Sequence, residues 1–263
     1  MRTRTEYDKA KALLDAGHNQ CEVARRTGIP RGTIKDWITR GFCPQNAGVG
    51  KHLILDAASH LNETEERRAA YAFVLGEYLG DGCVRKLNGT LRLGIYNDKK
   101  YEALNQLIQS KLQLVFPKNK TNRITGGGGN CWEIYVYSNN IPTLFPQMGP
   151  GKKHTRKIEL APWQLEIVDA YPHEFIKGLF YSDGCIYDHK HDSGRYAYRC
   201  YSFTNRSKDI ADYLSRSLAQ IGIAKTPRLD HKRQIYLVTI YSKRERDMLA
   251  AFMPSRLEIP LLR

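Results

Sequence analysis

Two stretches of the chain end alike: Tyr78-Leu79-Gly80-Asp81-Gly82-Cys83 reads YLGDGC, and Tyr181-Ser182-Asp183-Gly184-Cys185 reads YSDGC. Each closes a longer apolar run, AFVLGEYLGDGC in the first case and EFIKGLFYSDGC in the second. Aligned, the two segments set Gly76 and Gly80 over Gly178 and Ser182, small residues four apart in both copies. Positions i and i+4 share a helix face, so each segment reads as a helix whose face lets a second helix approach almost backbone to backbone. Glycine inside a helix costs ~1 kcal/mol against alanine, and close packing of the two helices is the expected compensation. Asp81 and Asp183 then stand at the two C-termini, with Gly82 and Gly184 expected as left-handed caps. A helix C-terminus is the negative end of the helix dipole. Two carboxylates there suit a cation, and oxygen donors favour Mg2+ over zinc.

From this pair outward the chain can be laid over itself. The first half reads as a helix at 67–80, a strand at 90–97, a periodic helix at 98–113, strands near 121–126 and 131–139, and a short helix over IPTLFPQM. The second half repeats the order: a helix at 172–182, a strand at 195–205, a helix at 207–222, strands over TPRLDHK and 234–242, and a helix over KRERDMLAAFM. Asn97 matches Asn205 before each periodic helix, and Tyr137-Ser138 matches Tyr241-Ser242 after each last strand. The expected fold is α+β, a pseudo-twofold αββαββα duplication over 67–263, with repeats 67–160 and 161–263. Each sheet should bury one face and leave the other wet.

Lysine plus arginine number 41 against 27 acidic residues, a net charge of +14, which favours a polyanionic partner. Arg92, Arg195, Arg199, Arg228, Lys232 and Arg233 lie on the expected strands and turns, where a basic sheet face could read a DNA groove. No apolar run approaches the ~20 residues of a membrane span, and the N-terminal stretch lacks a secretory core. Six cysteines without CxxC spacing point to reduced thiols and a cytoplasmic location.

Residues 1–41 read as three short helices. Counted from Gln20, the small Ala24, the turn at Gly28, and the apolar Val23, Ile34 and Trp37 fit a helix-turn-helix in a small all-α domain. Its last helix would present Arg31, Thr33, Lys35 and Arg40 to DNA, with Gly32 weakening that helix locally. Residues 42–66 read as a linker with one apolar patch, HLILDAASHL.

The paired segments and their repeated context resemble the LAGLIDADG motif of homing endonucleases, in the single-chain, two-motif form, over roughly residues 67–263. The resemblance implies a monomeric, Mg2+-dependent endonuclease for double-stranded DNA, with saddle-shaped sheets over the major groove and cleavage across the minor groove. It makes Asp81 and Asp183 the catalytic acids and metal ligands. It also asks for a basic residue late in each half. Lys152 or Lys153 answers in the first half; Arg256 answers in the second, with Lys243 the weaker option. Leu79 and Tyr181 replace the earlier acidic position of the motif. Two alternatives share the fold: a regulator that binds DNA without cutting, and, less favoured, an RNA maturase.

Other features are read as structural. Cys83 and Cys185 are expected to be small buried side chains, and His189-Lys190-His191-Asp192 a solvated loop. Gly126–Gly129 is expected as a flexible hairpin tip, and Trp132 and Trp163 as core residues.

Overall fold

The computed structural model describes residues 4–40, 56–87, 89–191 and 196–261. The chain divides into two compact units, Met1–Leu53 and Ile54–Arg263. The smaller unit holds α1 (Arg4–Asp15), α2 (Gln20–Thr27) and α3 (Arg31–Arg40). Asn19 and Glu22 form a reciprocal capping box at the start of α2, and Gly28 ends it in the left-handed conformation at φ 67°. Ala10, Val23, Ile29, Ile34 and Trp37 close a core of their own, with Tyr7 edge-on to Trp37.

In the larger unit Asp56 caps α4 (Ala57–Leu61), accepting from the backbone of Ala58 and Ser59. Thr64 caps α5 (Glu65–Asp81), whose first turn carries Glu65 and Glu66 against the positive end of its dipole. Every residue from Ala70 to Leu79 is buried, which marks α5 as a central helix. Then follow β1 (Gly82–Leu87), β2 (Thr90–Asp98), α6 (Glu102–Val115), β3 (Thr121–Gly126), β4 (Cys131–Tyr137) and α7 (Ile141–Leu144). After α8 (Pro162–Ala170) the order repeats: α9 (Pro172–Asp183), β5 (Gly184–His191), β6 (Tyr196–Asn205), α10 (Lys208–Gln220), β7 (Arg228–Asp230), β8 (Ile235–Ile240) and α11 (Lys243–Ala250).

The strands make two antiparallel sheets of matching order, β1-β2-β4-β3 and β5-β6-β8-β7. Leu93, Ile95, Ile134 and Val136 of one sheet, and Tyr201, Phe203, Val238 and Ile240 of the other, are buried in one core that includes α5, α6, α9 and α10. The alternate residues of each strand face away from it. The α+β duplication therefore stands as the sequence implied.

Some elements differ from expectation. The periodic helix begins at Glu102 rather than 98, because residues 99–101 form a turn in which Asp98 accepts from Lys100 N at 2.9 Å. The HKHD stretch is not a loop: His189 to His191 continue β5, while Asp192 lies outside the described residues. Cys83 and Cys185 are exposed rather than buried. Each opens an edge strand on the face opposite the core, opposite Gly94 and Ser202 respectively. Gly127–Gly129 form a tight turn with Gly128 and Gly129 at positive φ. Trp163 packs on Tyr71, and Trp132 sits at the core edge under Lys99 and Arg123.

Candidate active site at the paired helix ends

Helices α5 and α9 meet through their small residues. A Cβ added at Gly76 would come 2.7 Å from Phe175 O and 2.8 Å from Leu179 N. One at Gly178 would fall on the Phe73 carbonyl oxygen, and one at Gly80 on Ser182 Oγ. Gly76 thus faces Gly178 and Gly80 faces Ser182. The contacts climb both helices in the same sense, so the pair is parallel and its C-terminal ends coincide. Asp81 ends one helix and Asp183 the other.

The glycines that follow do not act as left-handed caps. Gly82 (φ −82°, ψ 150°) and Gly184 (φ −87°, ψ 158°) are extended. A Cβ at Gly82 would lie 2.5 Å from Tyr78 Cα, and one at Gly184 would lie 2.5 Å from Phe180 O. The chain doubles back against its own helix end, and only glycine permits that approach.

A basic side chain closes each end. Lys153 Nζ donates to the carbonyl oxygens of Tyr78, Gly80 (3.0 Å) and Gly82 (2.8 Å). Arg256 repeats the pattern: Nε donates to Tyr181 O at 3.0 Å, and Nη2 to Phe180, Ser182 and Gly184 O at 3.2, 3.0 and 2.9 Å. The two sets of carbonyls occupy aligned positions. Of the two adjacent lysines, Lys153 therefore holds the helix end, while Lys152 lines the cleft beside it. Lys243 pairs instead with Asp247 at 3.1 Å.

Two clefts flank the rim. One, of about 670 Å³, brings Asp183 and Asn205 together with Lys152, Lys153, Arg156 and Arg206. The other, of about 400 Å³, brings Asp81 and Asn97 together with Lys100 and Arg256. Each aspartate thus shares a cleft with the cation that caps the other half's helix, and both cations act on both carboxyls. Asn205 Nδ2 donates to Asp183 Oδ2 at 2.7 Å, whereas Asn97 Nδ2 donates to Asn105 Oδ1 at 3.0 Å. The repeated asparagine was visible in the sequence, but not that only one copy reaches its carboxylate.

Burial, and then the charge of Asp81, push the Asp183 carboxyl up to about 6 against the Asn205 hydrogen bond. Burial also raises Asp81, against the pull of Lys153 and Arg256. Lys153 is lowered to about 8 by burial, although both aspartates favour its charge. A third acid lies one turn below Asp81. Glu77 is 1% exposed and its Oε1 has no hydrogen-bond partner among the described residues. Burial, then the charges of Asp81 and Asp183, raises its carboxyl well above the usual 4.5. Its counterpart in α9 is Leu179. An acid that holds its proton more tightly folded than unfolded favours folding below its unfolded pKa, and that contribution is lost as pH rises above it. Glu77→Leu is therefore expected to raise the melting temperature more at pH 8 than at pH 4, gaining about 1–3 kcal/mol at the higher pH. Thermal melts of both proteins across that range check it.

The expected DNA-facing residues divide. Arg228, Lys232 and Arg233 are exposed at the β7–β8 hairpin, and Arg31 and Lys35 are exposed on α3, with Thr33 half-buried. Arg92 is not exposed: it is ion-paired to Glu133 at 2.9 Å and lies 3.6 Å over the Tyr135 ring. Arg199 is held by Glu258 through two bonds of 3.0 and 2.9 Å. Its place in β6 is two residues from the buried Tyr201, on the same side of the strand. Arg195 and the side chain of Arg40 lie outside the described residues.

Residues 170–251 match the model of a family described as a LAGLIDADG-like domain. Among solved structures, mesophilic variants of the homing endonuclease I-DmoI align with a TM-score of 0.50 at 19% identity, over 72% of this chain and 98% of that one. A variant of I-DmoI in complex with its target DNA in the presence of Mg aligns with 0.50 at 21% identity, over 73% and 99%. I-DmoI in complex with DNA and Ca gives 0.50 at 20% identity, over 74% and 95%. A search of curated proteins finds no match. At these identities the likeness to solved structures is one of fold. Residues 170–251 are thus similar to a LAGLIDADG-like domain, and the two halves of the larger unit together have the duplicated fold of those single-chain homing endonucleases.

Proposed function

We propose that this chain is a site-specific, metal-dependent endonuclease that cuts both strands of a DNA duplex and acts as a monomer. The observation that carries the reading is the parallel α5–α9 pair, which ends in two carboxylates under two basic caps. The net charge of +14 and the exposed arginines of the β7–β8 hairpin supply the attraction for a phosphate backbone. Arg31 and Lys35 of α3 would add affinity outside the cleavage site.

The donor set fits a hard divalent cation such as Mg2+. Asp81 and Asp183 offer only carboxylate oxygen, and burial raises both carboxyls against the pull of Lys153 and Arg256, a cost that a bound cation would relieve. Among the described residues no group of three or more His, Cys, Asp or Glu could hold a metal. Two carboxylates completed by water and phosphate oxygens are the usual ligand set for Mg2+. When bound, such a cation supplies Lewis-acid polarisation of the phosphodiester. Lys153 and Arg256 act on the protein's own dipoles. Each covers helix-end carbonyls that would otherwise repel a phosphate, and holds the backbone on either side of its aspartate. Asn205 orients the Asp183 carboxylate.

The test is cleavage of a duplex selected by the full-length protein from a random library, assayed with Mg2+. Cutting of both strands, dependent on the cation, supports the proposal. Tight binding without cutting at any divalent cation makes the chain a DNA-binding regulator, and preference for structured RNA over every duplex overturns both readings.

A further inference from the structure

We infer that Arg85 is the specificity-determining residue of the half-site under the first sheet, where it reads a guanine, and that the buried carboxylate of Glu133 positions it. The inference rests on the DNA-cleaving reading and goes further by assigning one base contact to one side chain.

On the open face of that sheet the register sets Arg85 opposite Arg92, and Tyr96 opposite Glu133. Arg85 Nη2 donates to Glu133 Oε1 and to the Tyr96 hydroxyl, both at 2.5 Å. The other Glu133 oxygen pairs with Arg92 at 2.9 Å. The side chains of Glu133 and Arg92 are 6% and 11% exposed, but that of Arg85 is 45% exposed. A surface ion pair returns little stability, and fixing an arginine costs rotamer entropy. Two acceptors nevertheless hold this guanidinium at one nitrogen, and its Nε and Nη1 protons have no partner among the described residues. An exposed donor group fixed in advance is how a protein lowers the cost of recognising an acceptor.

The acceptors that a guanidinium matches in a major groove are guanine O6 and N7. Arg85 lies four residues beyond Asp81 along β1. At ~3.3 Å per strand residue that is about 13 Å from the catalytic rim, or about four base pairs at the axial rise of duplex DNA. At the equivalent positions the second sheet has no such device. The equivalent positions hold Tyr187, Cys200, Thr204 and Leu237, and the register pairs Tyr187 with Cys200 and Thr204 with Leu237. The two half-sites should therefore be read by different chemistry, and the guanine should occur in only one.

The experiment is selection from a random duplex library with the full-length protein and with Arg85→Ala, Glu133→Gln and Tyr96→Phe. The unchanged protein should select guanine about four base pairs from the centre of one half-site. Arg85→Ala should lower that preference roughly ten- to hundredfold and leave other positions intact. Glu133→Gln should broaden the same position. Tyr96→Phe, which removes one hydroxyl from a side chain that otherwise keeps its shape, should broaden it less and covers the case in which Glu133→Gln unfolds. Retention of the guanine by Arg85→Ala overturns the inference. So does a uniform loss of affinity with a shallower salt dependence, the mark of a phosphate contact. A library from which the unchanged protein selects nothing overturns the DNA-cleaving reading itself.

Discussion

Asp183→Asn is expected to abolish cleavage while making the protein more stable at pH 8. The two effects have one cause. In the folded chain the Asp183 carboxyl is pushed from 3.8 up to about 6, first by burial and then by Asp81. Its contribution to folding is therefore favourable below the unfolded pKa and is lost as pH rises through the folded one. Above pH 6 the folded protein carries the full cost of that charge, of order 3 kcal/mol if the whole shift is counted. Asparagine keeps the shape and removes the charge, so the gain should vanish on acidification below about pH 4. Cleavage loses a ligand oxygen of full negative charge, and a drop on the order of a thousandfold or more is expected. Asp81→Asn should behave alike in cleavage. Melting curves against pH, run beside a cleavage assay, read both. A variant that loses activity and stability together at pH 8 would mean that the folded chain holds the Asp183 charge at no cost.

Gly178→Ala should be among the most damaging single-methyl changes in the chain. Alanine favours a helix over glycine by about 1 kcal/mol, so propensity alone predicts stabilisation. Here the added Cβ would fall on the Phe73 carbonyl oxygen and 3.0 Å from Glu77 N, both backbone atoms of the facing helix. Backbone cannot swing aside as a side chain can. The helices must separate, with a loss of about 3 kcal/mol or more. Gly32→Ala in α3 is the control, because nothing lies within 4 Å of its added Cβ. It should stabilise its own unit slightly. Chemical denaturation of the two variants separates the cases: Gly178→Ala must fall below the parent and Gly32→Ala must not.

Much of this architecture could be read from residue order. The spacing of Gly76, Gly80, Gly178 and Ser182 encodes helix contact directly, because small residues at i and i+4 leave a groove that only another backbone fills. The long periodic helices and the strand carrying IYVYS were legible for the same reason. The strands opening each half were not. GCVRKL and GCIYDHKH are edge strands whose core-side positions run Gly82, Val84, Lys86 and Gly184, Ile186, Asp188, so neither set of alternate positions is uniformly apolar and the alternation that marks a strand is missing. Helix α8 lies at the start of the second repeat, ahead of its glycine-lined helix, and has no counterpart in the repeated order read from the sequence.

At the site, the aspartates and Arg256 were legible through the repeat, and Lys153 only as one of two adjacent lysines. Which lysine turns toward the helix end depends on the tight turn at Lys153–Thr155, and no pattern in the sequence encodes it. Glu77 carried a signal, a charged residue inside an apolar, glycine-lined helix. Arg92 departs from expectation because charge shows that a residue can meet DNA, not that it is exposed: its side chain is 11% exposed against Glu133, whereas Arg199, paired with Glu258, stays 38% exposed. Their partners, Glu133 and Glu258, are distant in sequence and meet them only in the folded sheets.

The central claim is that Asp81 and Asp183 form one cation-holding rim at the ends of two parallel helices. Diffraction from the full-length protein bound to a selected duplex, grown with Mn2+ and recorded at its absorption edge, tests it most directly. Anomalous density is expected within coordination distance of carboxylate oxygens of both Asp81 and Asp183, beside the phosphodiester. Anomalous density elsewhere with none at that rim, or helix ends drawn apart so that the two carboxylates no longer share an edge, would contradict it.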